Sequence, residues 1–174
     1  RVIREALRPD IRLLDIGAGT GCVVESLLAQ PDIRLTRYAA FEPNPRHVDA
    51  LQAVLRHLAI PATAHTEGFT GNTVVTDEFD LALFSHSLYW MADPAQVLLH
   101  AARSLAPGGV ALALLQGPYG VHALFPLFEP QIERTTPMLQ NNSLSSHELV
   151  AGLRAQGVEP EVRLLPTPVD LTDL

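Results

Sequence analysis

The chain contains no lysine, only one cysteine and no long apolar run. A single cysteine, Cys22, cannot form an internal disulfide and is too few for a cysteine-based zinc site. A membrane-spanning helix needs about 18 consecutive apolar residues, and no segment approaches that length. The opening residues also lack the apolar core of a signal peptide. These absences predict a cytoplasmic protein that has no membrane partner.

Positive charge is scarce as well. Twelve basic residues, all of them arginine, stand against nineteen acidic ones, which gives a formal net charge of −7 at pH 7. The arginines are scattered and form no basic patch, whereas a nucleic-acid binder needs clustered positive charge to displace phosphate counterions. We therefore expect no nucleic-acid partner. The length of 174 residues and the hydrophobic content of 47% suit one globular domain.

Strand patterns and helix patterns alternate along the chain. Alternation of this kind predicts right-handed βαβ units and an α/β fold with a doubly wound, Rossmann-like, mostly parallel sheet that has helices on both faces. In such sheets ligands bind at the carboxyl ends of the strands. The predicted strands are 11–16, 35–42, 62–66, 79–85, 110–116 and 161–166, and the predicted helices are 2–7, 20–30, 45–58, 94–105 and 146–156.

A glycine-rich segment, Asp15-Ile16-Gly17-Ala18-Gly19-Thr20-Gly21, follows the first predicted strand. Glycine is needed where a backbone turns tightly and approaches a ligand without a Cβ in the way. The dinucleotide fingerprint G-x-G-x-x-G fits this segment at its first two glycines but places Cys22 in the third position. The pattern D/E-x-G-x-G-x-G fits at every position.

The second predicted strand ends at Glu42, twenty-one residues after Gly21. A carboxylate in this place can accept hydrogen bonds from both hydroxyls of a ribose. Glu42 predicts a nucleoside-containing ligand, although it does not distinguish S-adenosylmethionine from NAD because both contain ribose.

The D-x-G-x-G-x-G segment resembles the first motif of class I S-adenosylmethionine-dependent methyltransferases. LAPGG before the fifth strand and EFDLALFSHSLYWMADP around the fourth also resemble that family, over residues 13–116. The resemblance implies a methyltransferase with S-adenosylmethionine as cofactor, Gly17, Gly19 and Gly21 along its methionine portion, Glu42 on its ribose and Glu67 near its adenine. The full set of cofactor-binding residues expected from the resemblance is Asp15, Gly17, Ala18, Gly19, Gly21, Glu42, Pro43, Glu67, Gly68, Phe69 and Ser85.

A narrower resemblance concerns the acceptor side. IGAGTG, EPNPRHVDAL and FSHSLYWMADP are similar to stretches of histamine N-methyltransferase and its bacterial relatives. This similarity implies that His86, Tyr89 and Trp90 face the methyl acceptor. His86 is also the candidate general base, since histidine titrates near neutral pH. Tyr119 follows the fifth predicted strand at the same edge, and we expect it to contact the substrate.

We expect transfer of a methyl group from S-adenosylmethionine to nitrogen or oxygen of a small organic molecule by in-line displacement. The [N/D]-P-P-[F/Y/W] tetrapeptide of enzymes that methylate DNA and protein amino groups is missing. The histidines lack ligand spacing, so no metal site is predicted. Two alternatives stay open. One is an NAD-dependent oxidoreductase, although a chain without lysine cannot supply a Tyr-x-x-x-Lys pair, and the other is a non-catalytic methyltransferase-like binding module.

We expect a single domain over residues 1–174, truncated at both ends. The resemblance implies a sheet of seven strands, and the sequence shows no candidate for the seventh. The expected assembly is a monomer or a homodimer.

Overall fold

The structure is a computed structural model, and it describes residues 10–76, 78–119, 122–123 and 144–166. Within these residues, five parallel strands form one sheet in the order β3-β2-β1-β4-β5. The order reverses between β1 and β4, and this switch point is where ligands bind in such sheets. The strands are β1 (Asp10–Ile16), β2 (Arg34–Phe41), β3 (Ala62–His65), β4 (Phe79–Ser85) and β5 (Leu105–Leu114).

Two helices begin directly after Asn44 and Asp93, which the sequence indicates as capping residues. Asn44 and Asp93 accept hydrogen bonds from the backbone N–H groups of Arg46 and Gln96, each at 3.0 Å. A proline follows each cap at the first helical position, where its fixed φ suits the helix. The α-helices within the described residues are α1 (Cys22–Leu28), α2 (Pro45–Leu55), α3 (Pro94–Ala102) and α4 (Ser146–Ala155), and a short 3₁₀-helix spans Leu88–Trp90.

The core lies on both faces of the sheet, as successive side chains of a strand point to opposite faces. On β4, Leu81 and Leu83 join the cluster that includes α1 and α2, whereas Ala82 and Phe84 join the cluster that includes α3 and α4. In the described part of the chain, helices therefore cover both faces of the sheet. This arrangement confirms the predicted Rossmann-like α/β fold with helices on both faces.

The structure differs from the sequence predictions mainly at element ends. The helices are shorter than predicted, and β5 begins at Leu105, with a register irregularity opposite 79–81. Residues 161–166, predicted as a sixth strand, lie outside the sheet with Val162 and Leu164 exposed. A strand-like pattern becomes a strand only when another strand pairs with it. The predicted helix over 2–7 lies outside the described residues.

No helix within the described part of the chain combines the length and the apolar character needed to cross a membrane.

Candidate functional site

The glycine loop between β1 and α1 has three residues with positive φ, at 74° for Gly17, 57° for Gly19 and 94° for Gly21. These glycines differ in what an added Cβ would meet. At Gly17 it would lie 2.3 Å from the Cβ of Ser87, and at Gly21 it would lie 2.9 Å from the Cδ1 of Leu51. At Gly19 it would meet nothing within 4 Å. Packing inside the protein accounts for Gly17 and Gly21, whereas Gly19 faces open space.

Glu42 lies directly beside Gly19. Its Oε2 accepts a hydrogen bond from the backbone N–H of Gly19 at 2.9 Å, and its Oε1 accepts one from the N–H of Asn44 at 2.9 Å. The Nδ1 atom of His47 lies 3.4 Å from the same Oε1. An ionised carboxylate has about four acceptor positions. The two backbone bonds fix the orientation of the Glu42 side chain and leave acceptor capacity for ligand hydroxyls.

Asp15, at the start of the motif, lies inside the protein rather than at the surface of the loop. It is 1% exposed, and the hydroxyl of Tyr38 donates to its Oδ2 at 2.9 Å. Burial raises the pKa of Asp15 to about 6; the hydrogen bond from Tyr38 opposes this increase, and the charge of Glu42 adds to it. Burial and the neighbouring Asp15 also raise the pKa of Tyr38. Asp15 therefore stabilises the loop from inside the protein and does not face a ligand at its surface.

The cofactor-binding residues expected after β3 divide into two groups. Glu67 and Gly68 are exposed after β3, and the Glu67 carboxylate lies 3.8 Å from Nδ1 of His65. Phe69 is buried and packs edge-on against Phe41 with ring centroids 5.1 Å apart. Of these residues, only Glu67 and Gly68 are exposed to solvent.

The remaining expected cofactor residues flank the loop. Ala18 is 8% exposed and belongs to the core cluster on the α1 side of the sheet, whereas Pro43 is exposed directly after Glu42. Ser85 is half-buried at the end of β4, on the other side of the switch point. The structure thus brings the residues after β1, β2 and β4 to one edge of the sheet.

The ends of β4 and β5 are joined through His86 and Tyr89. The backbone N–H of His86 donates to the carbonyl of Leu114 at 3.0 Å. The hydroxyl oxygen of Tyr89 accepts a hydrogen bond from the N–H of Gln116 at 2.8 Å and lies 3.4 Å from Nδ1 of His86. The two rings are stacked, with centroids 6.2 Å apart. Burial raises the pKa of Tyr89, so its hydroxyl stays protonated at neutral pH.

Two further aromatic side chains are open to solvent at this edge. Trp90, at the end of the 3₁₀-helix, is 57% exposed, and Tyr119, after β5, is 80% exposed. The ring of Tyr119 contacts His147 at the start of α4 edge-on, with centroids 6.5 Å apart. Exposed aromatic side chains at the carboxyl ends of strands can line a binding site for an organic ligand.

His86 has a left-handed backbone conformation, with φ of 53°, and it is not a glycine. Histidine and asparagine tolerate this region, whereas β-branched residues do so poorly. We expect His86→Val to lower the free energy of unfolding by about 2 kcal/mol and His86→Asn to leave it within about 0.5 kcal/mol, because this exposed side chain has few contacts. Urea unfolding of both variants measures this difference. Equal stability of the two variants would show that the backbone is not held left-handed.

Three residues of the site could not be identified from the sequence pattern alone. Ser87 is buried beside Gly17, and its hydroxyl donates to the carbonyl of Ile16 at 2.5 Å. Tyr38 and Gln116 bond to Asp15 and Tyr89 across the sheet. Each contact joins residues far apart in the sequence, and only the strand register could have indicated them. Among the described residues, no group of three His, Cys, Asp or Glu side chains could hold a metal ion.

A glycine loop after β1, an acidic residue after β2 and a switch point between β1 and β4 define a class of Rossmann-like proteins that bind nucleoside-containing ligands. The family profile described as a methyltransferase domain matches residues 1–155. The chain belongs to this family, the class I S-adenosylmethionine-dependent methyltransferases. The methyltransferase family predicted from the sequence is confirmed. S-adenosylmethionine is the cofactor that the family uses.

One curated relative, a malonyl-[acyl-carrier protein] O-methyltransferase of Haemophilus ducreyi, is 32% identical over 101 residues. This match covers 58% of the chain, and the chain spans only 39% of the length of that relative. A Thermotoga maritima structure described as an S-adenosylmethionine-dependent methyltransferase, possible histamine N-methyltransferase, is 22% identical with a TM-score of 0.58, covering 90% of this chain and 67% of that one. The plantazolicin methyltransferase BpumL, solved with S-adenosylhomocysteine, is 14% identical with a TM-score of 0.61, covering 84% and 55%. At these identities, the two solved structures show that the fold is shared.

Proposed function

We propose that the chain transfers a methyl group from S-adenosylmethionine to nitrogen or oxygen of a small organic molecule. One observation carries this proposal: the carboxylate of Glu42 is fixed by the N–H of Gly19 at 2.9 Å, beside the open space that Gly19 faces. The fixed carboxylate suits the hydroxyls of a ribose, and the open space at Gly19 suits close approach of the methionine portion of the cofactor. The family assignment supports the same ligand.

In this proposal the donor site extends along the sheet edge from the glycine loop to the residues after β3. Glu42 holds the ribose, Glu67 and Gly68 lie beside the adenine, and Gly19 lies beside the methionine portion. Asp15, Gly17 and Gly21 support the loop through the contacts described above. The other proposed donor-site residues are Ala18, Pro43, Phe69 and Ser85.

The acceptor is proposed to lie at the ends of β4 and β5. His86 contacts its polar part, Tyr89 lies against His86, and the exposed rings of Trp90 and Tyr119 line its organic part. S-adenosylmethionine supplies an activated methyl group on a sulfonium, so the protein mainly has to position two reactants. Positioning alone contributes roughly 7–11 kcal/mol in well-aligned systems. The curated relative is named an O-methyltransferase, which supports oxygen as a target.

Calorimetric titration with S-adenosylhomocysteine tests the donor site. We expect the wild-type protein to bind S-adenosylhomocysteine and not NAD. Glu42→Ala should lose about 2 kcal/mol of binding free energy, roughly thirtyfold in affinity, since hydrogen bonds to a charged group contribute about 1.5–3 kcal/mol.

The matched control for this titration is Glu78→Ala. Glu78 is an exposed glutamate just before β4, at the opposite edge of the sheet, and its carboxylate lies 3.9 Å from Arg12. This variant should bind S-adenosylhomocysteine with wild-type affinity. Binding of NAD instead of S-adenosylhomocysteine, or equal losses in both variants, would contradict the proposal.

A further inference from the structure

The hydroxyl of Tyr89 has two hydrogen-bonding neighbours with different requirements. The backbone N–H of Gln116, 2.8 Å away, can only donate, so the Tyr89 oxygen is the acceptor of that bond. The hydroxyl proton of Tyr89 then points elsewhere. The ring nitrogen Nδ1 of His86 lies 3.4 Å from the same oxygen and can accept that proton.

This arrangement favours one tautomer of His86. In a neutral imidazole, one nitrogen carries the proton and the other accepts. When the hydroxyl of Tyr89 donates to Nδ1, the proton of the neutral ring lies on Nε2. The partner of one ring nitrogen fixes the role of the other. An imidazole with a protonated Nε2 offers a hydrogen-bond donor there and has no free lone pair with which to remove a proton.

The hydrogen bond between the N–H of Gln116 and the hydroxyl of Tyr89 also holds the Tyr89 side chain beside His86. The carbonyl of Gln116 accepts a hydrogen bond from the N–H of Ser146 at 2.9 Å, at the start of α4. Gln116 is therefore held from both sides of its backbone, by Tyr89 and by Ser146. The backbone of His86 is held at Leu114 and by its left-handed φ. The Tyr89 side chain therefore cannot turn away without breaking its hydrogen bond to Gln116, and the backbone of His86 stays beside it.

We propose that His86, held by Tyr89 as the Nε2–H tautomer, donates a hydrogen bond to a carboxylate methyl acceptor and does not act as a general base. The inference rests on the proposed methyltransferase function. Amines and phenols carry protons at neutral pH, as their ordinary pKa values lie near 10, whereas a carboxylic acid with a pKa near 4 is already ionised. A site in which His86 donates a hydrogen bond and does not remove a proton therefore suits a carboxylate acceptor.

The transfer balances without any proton movement. A carboxylate oxygen supplies the electron pair for the new O–CH₃ bond, and the pair of the broken S–CH₃ bond stays on sulfur. The positive sulfonium and the negative carboxylate become a neutral thioether and a neutral methyl ester. Tyr89 is a positioning residue in this scheme, because it acts only through His86.

Nitrogen-15 NMR of the histidine-labelled protein, with and without S-adenosylhomocysteine at pH 8, reads the tautomer directly. His86→Gln assigns the His86 signals by their disappearance. We expect protonated Nε2 and unprotonated Nδ1 in the wild type, and a mixture of tautomers in Tyr89→Phe. Tyr119→Phe is the matched control and should leave the His86 signals unchanged. A protonated Nδ1 in the wild type, or an unchanged tautomer in Tyr89→Phe, overturns the proposal.

The acceptor class is tested on the same labelled protein with two probes of equal length, butyrate and butylamine. We expect butyrate to shift the Nε2–H signal of His86 in a saturable way and butylamine to leave it in place. A response to butylamine only, or to neither probe, overturns the carboxylate assignment. Failure to bind S-adenosylhomocysteine would overturn the proposed function instead, and the tautomer measured in the free protein would still test the link between Tyr89 and His86.

Discussion

Gly17→Ala is expected to destabilise the domain by about 4 kcal/mol. The added Cβ would lie 2.3 Å from the Cβ of Ser87, so the ends of β1 and β4 must separate. Ser87 cannot turn aside without cost, since it is buried and its hydroxyl donates to the carbonyl of Ile16. The overlap costs about 1–3 kcal/mol, and a left-handed φ of 74° for alanine adds about 1–2 kcal/mol.

Gly19→Ala provides the matched comparison in the same loop. The added Cβ meets no atom within 4 Å, so only the conformational cost of about 1–2 kcal/mol applies. We expect this variant to fold but to bind S-adenosylhomocysteine at least about tenfold more weakly, because the Cβ occupies the proposed donor space. Urea unfolding and calorimetry separate the two effects. Similar stability losses in both variants, or full binding by Gly19→Ala, would contradict this distinction between the glycines.

The second large effect concerns Asp15 and its dependence on pH. Burial raises the pKa of this carboxyl from 3.8 to about 6 in the folded protein. A raised folded pKa means that stability from this group is fully present below about pH 4 and is lost as the pH rises to about 6. At about 1.36 kcal/mol for each pKa unit, the loss is about 3 kcal/mol.

Asp15→Asn should remove this slope, since an amide does not titrate. We expect the free energy of unfolding of the variant, relative to that of the wild type, to rise by about 3 kcal/mol between pH 4 and pH 7. Any pH-independent effect of the substitution does not change this difference. Tyr38→Phe should move the window upward, because the Tyr38 hydroxyl bonds to Asp15 and lowers its pKa. Urea unfolding at half-unit pH intervals measures both. Parallel pH profiles for wild type and Asp15→Asn would refute the prediction.

The sequence was informative wherever the cause of a structure is local. Asn44 and Asp93 each precede a proline, and both helices begin there because the caps and prolines act within one turn. The motif from Asp15 to Gly21 likewise predicted the loop after β1, because its glycines act locally on the backbone. The site was less predictable where contacts cross the sheet, as between Ser87 and Gly17. Such pairs depend on strand register, which no short segment specifies.

The sheet order also determines how the chain assembles its ligand edge. Neighbours β1 to β3 are linked by short βαβ crossovers, as are β4 and β5, whereas the contact that joins the two groups pairs Leu13 with Leu81. Within the described residues, the sheet therefore consists of two locally connected halves that meet at a long-range seam, the pairing of β1 with β4. Gly17 and Ser87 lie on opposite sides of that seam. The acceptor residues proposed after β4 and β5 belong to one half and the ribose site to the other, so the two substrates meet only when the halves have joined.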